Sequence, residues 1–178
     1  SLRRQRQMCI RDRFKAYRET VQSASDSAKA ELQAKLMRTI QRERQAWWKK
    51  ERDAMRAAIA VDVYQQREYI ALSVLQKGKM PDGSELPEGI PAFKLDRAAL
   101  VEVYGQEFLK RLPRPYVYAA KDGISPDAAA DLLGFKSGDE LVMAIVNARP
   151  MNKLIDAETD ARMREQYPDP LTDGTVAE

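Results

Sequence analysis

Apolar positions recur with a helical period along most of this chain. Residues 28–64 contain neither Gly nor Pro, and Ala, Glu, Lys, Arg, Gln, Leu and Met dominate, all strong helix formers. Leu32, Leu36 and Ile40 return at every fourth position, and Trp47, Met55 (or Ala54), Ile59 and Val63 continue the stripe. The spacing predicts one long amphipathic helix. It does not make a regular heptad, because Trp47 or Trp48 and alanines fill the seam between Ile40 and Met55, so an arm is expected rather than a two-stranded coiled coil. Residues 14–26 are weakly periodic and end in Ser and Asp, so the tail of a separate helix is expected there, with Ser25, Asp26 or Ser27 capping the long one. Residues 61–75 add a second apolar cluster, Tyr64, Ile70, Leu72, Val74 and Leu75, expected in a helix that packs on the rest.

The period then stops. Residues 77–91 hold three prolines and three glycines and read as a loop, with Pro81-Asp82-Gly83 as a turn: Pro presets φ and Gly accepts a positive one. A third helix is expected over 94–112, capped by Asp96, with Gly105 inside it marking a close helix contact and Pro113 and Pro115 ending it. Tyr116-Val117-Tyr118 has strand propensity but no visible pairing partner, so an extended connector is expected.

Residues 125–148 are dense in helix punctuation. Ser125 is an N-cap with Pro126 at the first helical position, Gly134 closes that helix, and Ser137 with Glu140 forms the capping box of the next. The second helix carries Leu141, Val142, Ile145 and Val146, the residues expected to form a core or a docking face. Its acidic and apolar surface is unsuited to reading a DNA groove. Pro150 opens a last helix, with Met151, Leu154 (or Ile155), Met163 and Tyr167 on one face and Asp156, Glu158 and Asp160 facing water. Thr172 or Asp173 starts a further capped segment.

These elements predict an all-α fold: a long amphipathic N-terminal helix plus a small bundle of short helices, with a Pro/Gly loop between them. The expected boundaries are a helical arm over 14–76, the loop over 77–92, a small helical domain over 93–168 and the truncated start of another segment over 169–178.

Charge changes the picture only after residues 1–13 are considered. Residues 3–13 read R-R-Q-R-Q-M-C-I-R-D-R, which resembles one translated frame of the adapter used in transposase-based sequencing libraries. The resemblance implies a cloning or assembly scar, and both ends are expected to be cut from a longer protein. The whole chain has Lys+Arg 30 and Asp+Glu 27, net +3. Residues 1–13 hold five of those arginines and one aspartate, so the remainder carries 25 basic and 26 acidic residues, net −1. Overall charge therefore gives no argument for nucleic acid or an anionic membrane.

Candidate chemistry is sparse. The one cysteine is Cys9, and there is no histidine, which removes zinc sites of the Cys/His type and a neutral-pH imidazole base. No phosphate-cradling Gly-rich loop, dinucleotide fingerprint or nucleophile elbow is present. Asp82, Glu85 and Glu88 lack a metal-ligand spacing and are expected to be solvated. No catalytic residue, metal, cofactor, small-molecule ligand or membrane contact is expected. Arg38, Arg42, Arg44, Trp47, Trp48, Lys49, Lys50 and Arg52 lie in a basic stretch, residues 38–56. They are the candidate nucleic-acid contacts, cations for phosphate and an aromatic for a base.

Two stretches, K-L-D-R-A-A-L-V-E-V-Y-G-Q-E-F-L-K-R-L-P-R at 94–114 and G-I-S-P-D-A-A-A-D-L-L-G-F-K-S-G-D-E-L-V-M-A-I-V-N-A-R-P with the following E-T-D-A-R-M-R-E helix at 123–165, resemble helical segments of large polyvalent, virion-associated phage proteins. That resemblance implies a non-enzymatic spacer or scaffold in the host cytoplasm or the virion, whose partners are the rest of its polypeptide or other subunits. A nucleic-acid-binding helical module using residues 38–56 is one alternative. A fragment of a peptidoglycan-cleaving enzyme is the other, since two carboxylates suffice for glycoside hydrolysis.

Overall fold

The computed structural model describes residues 2–168. It is mostly helical, with one long N-terminal helix and a group of shorter ones, and it divides into two compact units, Ser1–Glu51 and Arg52–Glu178. The expected start of a capped segment at Thr172 or Asp173 lies outside the described residues.

Helix α1 runs unbroken over Leu2–Tyr64. The cap expected at Ser25, Asp26 or Ser27 does not form. Such residues cost a helix only a few tenths of a kcal/mol each, and Asp26 is tied into the helix by a hydrogen bond from the Gln22 amide, 3.0 Å, across one turn. With no Gly or Pro nearby, nothing stops propagation. In the first unit the helix is exposed along its length apart from Trp48 and Glu51, which are half-buried.

The second unit begins inside the same helix, where Ile59, Ala60 and Val63 are buried. The chain bends at Gln65 and Gln66 and restarts as α2, Arg67–Lys77, with Tyr69, Ala71, Val74 and Leu75 buried. No Gly or Pro marks this bend; tightened bonds from the Gln65 and Gln66 amides to the Asp62 and Val63 carbonyls close α1. Gly78, at φ 65°, ends α2, and the loop follows with the expected turn at Pro81-Asp82-Gly83.

Two expectations need correction in the next segment. The helix predicted over 94–112 is three pieces: strand β1 (Leu95–Asp96), helix α3 (Arg97–Tyr104) and a 3-10 helix (Gln106–Arg111). Asp96 does cap α3, accepting from the Ala98 amide at 3.2 Å. Gly105 does not mark a close contact. It sits at φ 84° with open space around its missing Cβ, so it breaks the helix by conformation. Tyr116-Val117-Tyr118 is also not a bare connector, because strand β2 (Tyr118–Ala119) pairs in parallel with β1, Leu95 opposite Tyr118.

The remaining helices are α4 (Pro126–Leu133), α5 (Gly138–Asn147) and α6 (Met151–Gln166). Their punctuation is as the sequence predicts. The Ser125 hydroxyl accepts from the Ala128 amide (3.3 Å), Gly134 takes the left-handed conformation, and the Ser137 hydroxyl accepts from the Glu140 amide (3.1 Å). The Glu140 carboxylate reaches back one residue further than a capping box requires, to the Lys136 amide at 2.7 Å. Pro150 is the residue before α6 rather than its first residue. Helix α5 sits in the main core: Leu141, Val142 and Ile145 pack with Ala129 and Ala130 of α4, Ala71 and Leu75 of α2, and Leu95, Leu100, Phe108 and Val117. A second cluster joins Ile59, Ala60 and Val63 of α1 to Tyr69 and Ile155.

Candidate functional site

The candidate residues fall into three settings. Leu141, Val142 and Ile145 are buried and Val146 is half-buried against the same cluster, so the α5 face is core covered by α2 and α4. It leaves no docking surface.

Arg52 belongs to the second unit and is engaged there. Its guanidinium stands 3.1 Å from Asp160 and 3.9 Å from Asp156, and Arg56 Nε donates to Asp156 at 2.8 Å. Arg52 and Arg56 share one face of α1 at i,i+4, as do Asp156 and Asp160 on α6, so the two pairs interlock. Asp156 and Asp160 thus do not simply face water. The hydrogen bond from Arg56 holds the Asp156 carboxyl below its ordinary range, and that bond raises Arg56 in turn. Arg52 is therefore an intrachain ion-pair partner.

The other candidates lie on α1 in the first unit. Arg38, Arg42, Arg44, Lys49 and Lys50 are exposed, Trp47 is 44% exposed and Trp48 is half-buried. The two indoles are tilted at 58° with centroids 6.3 Å apart. At about 100° of turn per residue, Arg38, Arg42 and Lys49 share one face. Trp47 lies roughly 180° away from Arg38 on the same count. Arg44 and Lys50, three positions either side of Trp47, lie nearer to it, and Trp48 follows Arg44 by one turn.

Trp47 also continues an apolar stripe. Leu32, Leu36, Ile40 and Trp47 fall within roughly 80° of one another, and Leu36 precedes Trp47 by 11 positions, as Val21 precedes Leu32. Phe14 precedes Leu36 by twice that step. Phe14, Tyr17, Val21, Leu32, Leu36, Met37 and Ile40 are 46–69% exposed, whereas the core residues of the second unit are all below 9%. The sequence showed the stripe over 32–63. It hid the extension to Phe14, because Arg18, Ser25 and Lys29 break the row between Phe14 and Leu32.

Elsewhere the second unit carries a groove of about 430 Å³ lined in part by Tyr69, Leu72, Lys77, Arg114, Arg149 and Met151. Among the described residues no carboxylate lines it. Among the described residues the carboxylates whose ionisation is shifted, Asp82 by its bonds from Ser84 and Asp156 by Arg56, are both held low, the opposite of what a general acid needs. Tyr104 is pushed up to about 12 by burial and by its 2.6 Å bond to Asp139. Among the described residues no group of His, Cys, Asp and Glu is arranged to hold a metal ion, and no helix is long and apolar enough to cross a membrane. No family model, no curated protein and no solved structure matches this chain.

Proposed function

We propose that this chain is a non-enzymatic helical segment of a larger, phage-derived polypeptide, and that its task is protein interaction through the apolar stripe of α1. The phage origin rests on the resemblance of 94–114 and 123–165 to segments of large polyvalent proteins. The interaction role rests on one observation: Leu32, Leu36, Ile40 and Trp47 line one face of α1, broken by Glu43, and are 44–69% exposed. Large apolar patches on soluble proteins mark surfaces that a partner covers. A helix presenting such a row is recognised by another apolar helix face or groove through residues at i, i+4 and i+11.

A photo-crosslinking residue at Leu36, in the full-length parent polypeptide within its host cell, tests this reading. Adducts with protein are expected. A second crosslinker at Lys49, on the basic face, reports the alternative. Adducts with DNA or RNA at Lys49, with none to protein at Leu36, would make the basic face the working surface instead.

A further inference from the structure

We propose that the groove of the second unit is a docking site separate from the α1 stripe, and that it takes an acidic peptide segment in which an apolar side chain has a carboxylate two residues to either side.

The first argument is that the groove is a fixed part of the fold. Helix α2 buries Ala71, Val74 and Leu75 in the core, while its face bearing Tyr69, Leu72, Ser73, Gln76 and Lys77 forms one wall of the groove. Those five positions recur at helical spacing, so they stand in one row. The connector between α5 and α6, residues 148–151, supplies another wall. The Tyr69 hydroxyl donates to the Arg149 carbonyl at 2.8 Å, and the Gln76 amide donates to the Pro115 carbonyl at 3.2 Å. These bonds tie the connector and the 113–115 segment to α2. The volume of about 430 Å³ lies within the range of small binding pockets.

The second argument is charge. Lys77, Arg114 and Arg149 line the groove, are exposed, and form no ion pair among the described residues. Arg114 lies over the Tyr116 ring, 5.4 Å from its centroid, which positions the guanidinium without neutralising it. Glu68 and Glu158 act on the Tyr69 hydroxyl, yet neither lines the groove or pairs with one of its cations. A ligand entering the groove therefore meets side-chain charge of one sign, and an anion matches it.

The third argument is spacing. Tyr69 and Lys77 are about 12 Å apart along α2. Arg149 lies at the Tyr69 end through the bond to its carbonyl, and Lys77 marks the other end, where Gln76 holds the residue after Arg114. Leu72 stands between them on the helix, half-buried against the same apolar cluster as Met151. An extended peptide rises about 3.3 Å per residue with alternate side chains on one face, so its residues i, i+2 and i+4 span about 13 Å. Acid, apolar and acid then meet cation, apolar surface and cation. A nucleic acid strand fits less well, because the aromatic lining the groove, Tyr69, is 4% exposed and offers no open ring face to a base.

Nuclear magnetic resonance titration of the whole chain at low salt, with the end-blocked peptide Glu-Ser-Leu-Ser-Glu, tests the site. Saturable shifts of the Ser73, Lys77 and Arg149 amides are expected. Affinity should fall roughly tenfold for Gln-Ser-Leu-Ser-Gln, and by a similar factor in the Lys77→Gln, Arg149→Gln double variant. Both side chains are exposed, so the melting temperature of that variant should match the parent's; should it not fold, the glutamine peptide on the parent protein decides alone. No saturable shift at those amides overturns the inference, and so does equal binding of the glutamine peptide. Oligothymidylate that shifts the same amides while the acidic peptide does not would overturn it in favour of nucleic acid. None of these outcomes bears on the Leu36 crosslink, which reads the α1 stripe.

Discussion

Gly138→Ala is the sharpest probe of how the second unit is packed. Gly138 is the first residue of α5 and is buried where the starts of α4 and α5 meet. A Cβ at that position would lie 2.7 Å from the Asp127 nitrogen, 2.7 Å from the Pro126 carbonyl carbon and 2.7 Å from the Pro126 Cβ. Carbon contacts are comfortable only near about 3.5–4.0 Å, so the two helix starts must separate by close to an ångström. Two of the three obstructing atoms are backbone and cannot rotate away. The separation also stretches the 2.8 Å bond from the Gly138 amide to the Asp127 carboxylate. Overpacking costs about 1–3 kcal/mol, and losing the bond adds about 1 kcal/mol. Alanine returns about 1 kcal/mol through its better helix propensity. The net is a loss of about 2 kcal/mol, or roughly 6–10 °C in Tm for a domain of this size. Urea unfolding followed by far-ultraviolet dichroism should show a lower midpoint with an unchanged slope. Tryptophan fluorescence is the wrong probe, since Trp47 and Trp48 lie in the first unit. Gly134→Ala is the control: it meets nothing within 4 Å and carries only the strain of its φ of 77°, about 1 kcal/mol. A Gly138→Ala protein as stable as the parent, or more stable than Gly134→Ala, would refute the close approach.

Three further outcomes are expected. Val142→Asp buries an unpaired carboxylate at a position with no exposure and should unfold the second unit, a loss of more than about 4 kcal/mol; a cooperatively melting, soluble variant would mean that this face of α5 is open. The depressed Asp156 carboxyl contributes stability above the ordinary carboxylate pKa and loses it as pH falls through the lower folded value. Asp156→Asn should therefore flatten the acid limb of a melting-temperature profile below about pH 4. Tyr104 has the opposite sign: raised to about 12, its contribution is complete below pH 10 and declines as pH rises from there toward 12. Tyr104→Phe should be less sensitive than the parent to alkali in that window, measured by helical dichroism; equal sensitivity would remove Tyr104 as the cause.

Much of the fold was legible because its determinants are local. Ser125, Pro126, Gly134 and Ser137 act on backbone groups within four residues, so their sequence order is enough to place α4 and α5. The long run without Gly or Pro likewise dictates α1, and overrode the weak stop at Ser25, Asp26 and Ser27. The apolar order of Leu141, Val142 and Ile145 marked them as a face to be covered, but not what would cover it.

Tertiary structure decided whatever depends on residues far apart in sequence. Leu95 finds its strand partner Tyr118 only after the intervening α3 folds back, so propensity alone left Tyr116-Val117-Tyr118 without a role. Asp156 and Asp160 read as solvated until Arg52 and Arg56, about a hundred positions earlier, are packed against them. Gly105 and Gly138 are the same letter in the sequence. One breaks a helix through its positive φ in open space, and the other lets two helix starts touch. Short-range hydrogen bonding and period are written residue by residue, whereas pairing of charges, strands and close backbones exists only once the chain has closed on itself.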